Sequence, residues 1–193
     1  MFRVDTGESV KTFETGGHAV YTMDFDAAGK TVFATMSDNS FKAFSIASGA
    51  TTVIDAGVAW GFHTWDVSRD GRFIAGPGKG GVIVWDQKTY REVRVLPGNA
   101  GGTSYVAFSP DGRTLATTGS DAVVRLWDVS SGKLVSTPGD GVGAGRLRFS
   151  DDGRRLTVWG ADRQIHVYGP TRDGKVPPKK PVEGAPVQDF DDE

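Results

Sequence analysis

Residues 105–129 read YVAFSPDGRTLATTGSDAVVRLWDV, and this stretch decides the fold. Two runs rich in aromatic and β-branched residues flank the turn Ser109-Pro110-Asp111-Gly112. A third run, Val124 to Val129, follows a second turn ending near Asp121. Short apolar runs cut by Asp, Gly and Ser read as antiparallel strands joined by tight turns. Strands are expected near 104–109, 113–118, 123–129 and 133–137.

The same turn recurs along the chain. Asp26-Ala27-Ala28-Gly29, Ser68-Arg69-Asp70-Gly71 and Ser150-Asp151-Asp152-Gly153 complete a set of four. Their closing glycines lie 42, 41 and 41 residues apart, so the chain is built from repeats of one unit. Other columns keep the register. Phe25, Val67, Phe108 and Phe149 precede the turns, and Phe44, Trp85, Trp127 and Tyr168 follow them. The run Val82 to Trp85 is apolar on both faces, as expected of a sheet covered on both sides. No stretch keeps a helical apolar stripe over three turns.

A period of this length, units of four strands and a Trp-Asp pair closing the third strand resemble the WD-repeat β-propeller family. Trp85-Asp86 and Trp127-Asp128 match the pair, and Phe44-Ser45 and Tyr168-Gly169 are degenerate forms of it. Gly17-His18 matches the family's Gly-His pair. The resemblance spans about residues 1–170 and implies an all-β fold of about four propeller blades, as a small ring or a partial, open propeller. It implies blades at 16–56, 57–97, 98–139 and 140–170, the last without its own outer strand. Residues 1–15 would be outer strands of an incomplete blade.

The family pins its strands with a hydrogen-bonded set: His before the first strand, Ser or Thr in the second, Asp in the turn after it, and Trp in the third. The resemblance assigns His18, Thr35 and Asp38 to this set in the first blade. It assigns Thr118, Asp121 and Trp127 in the third, where Asn99 or a neighbour stands for His. In the second blade Lys79 falls at the Asp position. In the fourth, Asp162 is paired with Tyr168. No blade carries the full set, so incomplete buried hydrogen bonding is expected. The family also implies partner docking on the face formed by the loops that enter each blade and those joining its second and third strands. Tyr21, Trp60, His63, Lys79, Tyr105 and Arg146 are the binding candidates on that face. Aromatic residues and Arg are the usual anchors of interfaces. Residues 57–63 are unusually aromatic for a loop.

Composition excludes several chemistries. The net charge of −2 gives no basic footprint for nucleic acid. With no cysteine there is no disulfide, thiolate nucleophile or Cys-based zinc site. No apolar run is long enough for a membrane-spanning helix. The three histidines, His18, His63 and His166, fall in different columns, so neither a catalytic constellation nor a metal site is expected, and no cofactor. Gly76 to Gly81 leads into a strand, not a helix, and reads as a hairpin turn rather than a phosphate loop. Positions that would line a central channel read as apolar or small. The expectation is a cytoplasmic, non-catalytic interaction scaffold or sensor binding protein or peptide. The alternatives are a C-terminal regulatory piece of a larger signalling protein, and an enzyme using the channel.

Gly is 27 of 193 residues, about twice the ~7% norm, which fits many tight turns. The chain starts in mid-blade. Ser9 to Glu14 reads as an outer strand without inner partners, and the fourth repeat lacks an outer strand. Exchange of that strand across a ring closure is the expectation. A four-bladed ring, a homodimer of half-rings and a truncated product needing further blades all remain open. Residues 171–193, with Pro177, Pro178 and Pro181 and then an acidic end, are expected to be a disordered tail.

Overall fold

The computed structural model describes residues 5–55, 65–78, 80–100, 102–139, 141, 145–160 and 162–169. Its strands form four antiparallel sheets in chain order. Sheet 1 holds β1 (Val20–Phe25), β2 (Thr31–Met36), β3 (Phe41–Ser45) and β4 (Thr51–Asp55). Sheet 2 holds β5 (Asp66–Val67), β6 (Phe73–Gly78), β7 (Gly81–Asp86) and β8 (Glu92–Leu96). Sheet 3 holds β9 (Thr103–Phe108), β10 (Thr114–Gly119), β11 (Val124–Asp128) and β12 (Leu134–Gly139). Sheet 4 holds β13 (Leu147–Phe149), β14 (Leu156–Trp159) and β15 (Ile165–Tyr168). Within every sheet each strand pairs with its successor, and no helix occurs among the described residues.

The repeated turn joins the first two strands of each sheet and explains the glycine register. The Ser109 hydroxyl accepts the Thr114 N–H at 2.9 Å and donates to Asp111 at 2.6 Å. Ser68 with Asp70, and Ser150 with Asp152, repeat the arrangement. In sheet 1 Asp26 replaces the Ser and takes the Lys30 and Thr31 N–H groups at 2.6 and 3.1 Å. The closing glycines have φ of 65°, 71°, 67° and 68°, the left-handed region that a side chain disfavours.

The sheets stack through their faces, and each successive pair encloses an apolar cluster. Phe33, Phe41 and Ala43 of sheet 1 meet Ile74, Trp85 and Trp65 of sheet 2. Ala75, Val82 and Val84 of sheet 2 meet Val106, Phe108, Leu115 and Trp127 of sheet 3. Ala116 and Val124 of sheet 3 meet Leu147, Leu156 and Val158 of sheet 4. Each sheet thus has a forward face toward its successor and a rear face toward its predecessor. The side-chain period of two produces this division, because odd and even positions of one strand serve different interfaces. Burying one such Leu, Val or Phe contributes roughly 1.5–3 kcal/mol, so these clusters dominate stability. Tight aromatic packing reinforces the first interface: the Trp65 ring lies 5.1 Å from Phe41 and edge-on to Phe33 at 5.7 Å.

The first strands β1, β5, β9 and β13 line a shared central cavity. Sheets stacked in series around such a cavity make an all-β, four-sheet propeller arrangement, small or partial.

Among the described residues, the expected strand exchange is not made. Sheet 4 has three strands among the described residues. Phe13 packs instead on the rear of sheet 1, its ring 5.3 Å from Phe44, beside Ala34, Met36 and Val32. The physical reason is apolar burial: Phe44 and Met36 would otherwise open to water, and the nearby Phe13 covers them.

Candidate binding surface

Sheet 3 contains a continuous buried hydrogen-bond relay. Trp127 Nε1–H donates to Thr117 Oγ1 at 2.9 Å, and Thr117 donates to Asn99 Oδ1 at 2.8 Å. Asn99 Nδ2–H then donates to Asp121 Oδ1 at 2.8 Å and to the Val123 carbonyl at 2.6 Å. Asp121 also accepts the Ala100 N–H at 2.9 Å and pairs with Arg125 at 2.6 Å. Thr117, Asn99 and Trp127 are buried. Asn99 therefore fills the place expected of His, and the set in this sheet is complete rather than partial.

Thr118 is not part of the relay. Trp127 pairs with Leu115 across the ladder, so Thr117, two residues on, shares its face and Thr118 takes the other. Thr118 donates instead to the Gly145 carbonyl of the next sheet at 3.0 Å. The same shift applies to Thr35. Phe44 pairs with Val32, so the Trp-side position in β2 is Ala34. Thr35 bonds Thr22 at 2.8 Å, and Thr22 accepts the Trp65 indole N–H at 2.9 Å. This link ties sheet 1 to sheet 2, a role the sequence did not reveal for Trp65.

The turns between second and third strands share one design. Asp38, Asp121 and Asp162 accept the backbone N–H two residues on, from Ser40, Val123 and Gln164 at 3.0, 3.1 and 3.0 Å. Each also holds a basic side chain four residues on: Lys42 at 3.3 Å, Arg125 at 2.6 Å and His166 at 2.8 Å. The next residue in each turn, Asn39, Ala122 or Arg163, has positive φ. His18 lies 3.6 Å from Asp38. Hydrogen bonding by Ser40 holds the Asp38 carboxyl down at about 2. Burial opposes ionisation of Asp121, but its donors outweigh that and lower it too. The Gln164 N–H lowers Asp162. Three rigid turns on one rim therefore each present a paired acid and base.

The aspartates after the third-strand aromatics act locally. Asp86 accepts from Thr89 N–H at 2.7 Å, and Asp128 from Ser131 N–H at 2.7 Å. They close the following turns rather than face a ligand. Trp85 is buried and Tyr168 half-buried against the sheet 3–4 cluster.

The binding candidates separate. Tyr21 and Arg146 are exposed near the starts of β1 and β13. Tyr105 is half-buried and packs against the sheet 3–4 cluster. Trp60, His63 and Lys79 lie outside the described residues.

The central cavity has a volume of about 700 Å³. Asp24, Asp66, Arg69, Arg146 and Arg148 are among its lining residues. The expectation of apolar or small channel positions fails here, because one column of the first strands reads Asp24, Asp66, Ala107 and Arg148. Asp66 accepts the Phe108 N–H at 2.7 Å, and burial raises its pKa to about 6. Across the cavity rim Arg69 meets Asp151 at 2.6 Å. Among the described residues no group of three acidic or His side chains is placed to hold a metal.

Residues 90–128 match the family model described as WD domain, G-beta repeat. The crystal structure of the computationally designed Ika4 protein superposes with a TM-score of 0.69 at 18% identity, covering 85% of this chain and 99% of that one. At that identity the likeness concerns the fold alone. No curated protein matches the chain by sequence. The matched segment contains the complete relay from Asn99 to Trp127. One segment of the chain, residues 90–128, is therefore similar to a WD repeat, a unit that serves protein interaction at the family level, and it lies within a four-sheet propeller arrangement.

Proposed function

We propose that this protein is a non-catalytic, cytoplasmic interaction module that holds a protein or peptide on the rim formed by its sheet-entry loops and second-to-third-strand turns. The observation that carries the reading is the threefold Asp-to-base clasp at Asp38, Asp121 and Asp162. Rigid turns lose little entropy on binding, and the ion pairs of Asp38 with Lys42 and Asp121 with Arg125 favour a polar, specific partner. Exposed Tyr21 and Arg146 add an aromatic and a guanidinium anchor on the same rim. The WD repeat at residues 90–128 supports the class of function. The net charge of −2 speaks against nucleic acid.

Site-specific photocrosslinking tests it. A photoreactive side chain at Arg146 is expected to trap a protein partner in cells. The same group at Arg113, in the turn on the opposite rim, is expected to trap none. Capture from Arg113 alone contradicts the assignment.

A further inference from the structure

Among the described residues, the two ends of the stack carry apolar faces that no sheet covers, and Trp159 and Ile165 of one such face also border the cavity. On the forward face of sheet 4, Trp159, Ile165 and Val167 are 62%, 74% and 59% exposed. On the rear face of sheet 1, Met23 and Phe25 are 72% and 48% exposed. Isolated exposed apolar residues are ordinary, but two clusters on opposite ends of a stack are not.

Their columns explain them. Ile165 and Val167 occupy the third-strand positions that Phe41 and Ala43, Val82 and Val84, and Val124 and Leu126 hold in sheets 1 to 3. All three of those pairs pack against the next sheet. Met23 and Phe25 occupy the first-strand positions of Trp65 and Val67, Val106 and Phe108, and Leu147 and Phe149, which all pack against the preceding sheet. The exposed faces are thus the two halves of an interface this chain builds three times internally. Phe13 covers only Phe44 and its neighbours on the rear of sheet 1 and leaves Met23 and Phe25 open.

We infer that the occupant of both faces is a second copy of this chain, with the forward face of sheet 4 in one copy seated on the rear face of sheet 1 in the other. Continuity with the internal interfaces is the first argument. Charge is the second. Within the chain, the inner column places Asp24 near enough to Asp66 to disfavour its ionisation. The same column at the junction between copies brings Arg148 of sheet 4 to Asp24 of sheet 1, an attractive pair where the internal one is repulsive. The contact joins unlike surfaces and is head-to-tail, and a pair of copies that makes it twice leaves neither face open.

Its unlike halves make a decisive test. Sedimentation of the full chain across a concentration series is expected to give the mass of two chains. Trp159→Glu and Met23→Glu each remove one half, and each is expected to weaken association at least about tenfold. Both positions are exposed, so the β-type circular dichroism should remain. Mixing the two variants restores one intact junction and is expected to recover a one-to-one pair. A wild-type chain that stays monomeric overturns the inference and leaves the faces to residues beyond Gly169 or to a different protein. Failure of the folded variants to complement overturns it as well. Loss of rim crosslinking at Arg146 would leave this result untouched, so the two readings fail separately.

Discussion

Asn99 Nδ2–H donates to Asp121 Oδ1 at 2.8 Å, joining the loop before sheet 3 to the turn between its second and third strands. This one contact links the buried Trp127–Thr117 pair to the charged rim. Replacement Asn99→Leu leaves Thr117 and the Val123 carbonyl without their buried partner. Such orphaned groups cost about 1–3 kcal/mol, and urea denaturation should show a loss at the upper end of that range. Thr117→Val should lose about 1–2 kcal/mol, and Thr118→Val no more than that, because its single bond reaches Gly145 outside the relay. Equal losses for Asn99→Leu and Thr118→Val would contradict the relay.

Two of the turn glycines should respond unequally to alanine. Gly29 and Gly112 both have left-handed φ, which costs a side chain about 1–2 kcal/mol. A Cβ at Gly29 meets nothing within 4 Å, whereas at Gly112 it would lie 2.9 Å from an Asp70 carboxylate oxygen. Thermal melts should place Gly112→Ala below Gly29→Ala. The reverse order would show that adjacent turns do not pack as described.

Asp66 and the turn aspartates should give opposite pH dependences. Burial raises the Asp66 pKa to about 6 from 3.8, so between those values the folded chain binds the extra proton. Its contribution is present below pH 3.8 and is lost as pH rises through 6. Asp38 and Asp128 are held at about 2, chiefly by Ser40 and by Ser130, so their contributions vanish as pH falls from 3.8 toward 2. Asp66→Asn removes the charge and keeps one of the two oxygens that accept the Phe108 and Val67 N–H groups. It should stabilise the chain at neutral pH by about 1–2 kcal/mol and flatten the slope between pH 4 and 6. A variant less stable at every pH would contradict the assignment.

The link between Trp65 and Thr22 offers a fourth check. Thr22→Val removes the acceptor of the Trp65 indole N–H while keeping the shape. A loss of about 1 kcal/mol is expected, with a blue shift of the tryptophan emission on loss of that bond. No change in either readout would show that sheets 1 and 2 are held by apolar packing alone.

The period, the strands and the turn chemistry were legible because each depends on local residues. Ser109, Asp111 and Gly112 fold their turn without help from the rest of the chain. Strand parity was not legible. Thr117 and Thr118 are adjacent hydroxyl residues, and only the pairing of Trp127 with Leu115 decides which one faces the indole. Asp66 went unnoticed because its column mixes Asp24, Ala107 and Arg148, so no pattern marks it; the cavity does. The placement of Phe13 on sheet 1 rather than beside β15 depended on which apolar surface lay open, a tertiary matter. Tyr105 looked like an anchor as a residue type, but packing against sheet 4 had already claimed it.

The most direct test is the dissociation constant of the partner trapped at Arg146, measured for the wild type, Arg146→Glu and Arg113→Glu. Arg146→Glu should weaken binding at least about tenfold while Arg113→Glu leaves it unchanged. Unchanged affinity in Arg146→Glu, with weakening in Arg113→Glu, would place recognition on the opposite rim and contradict the account.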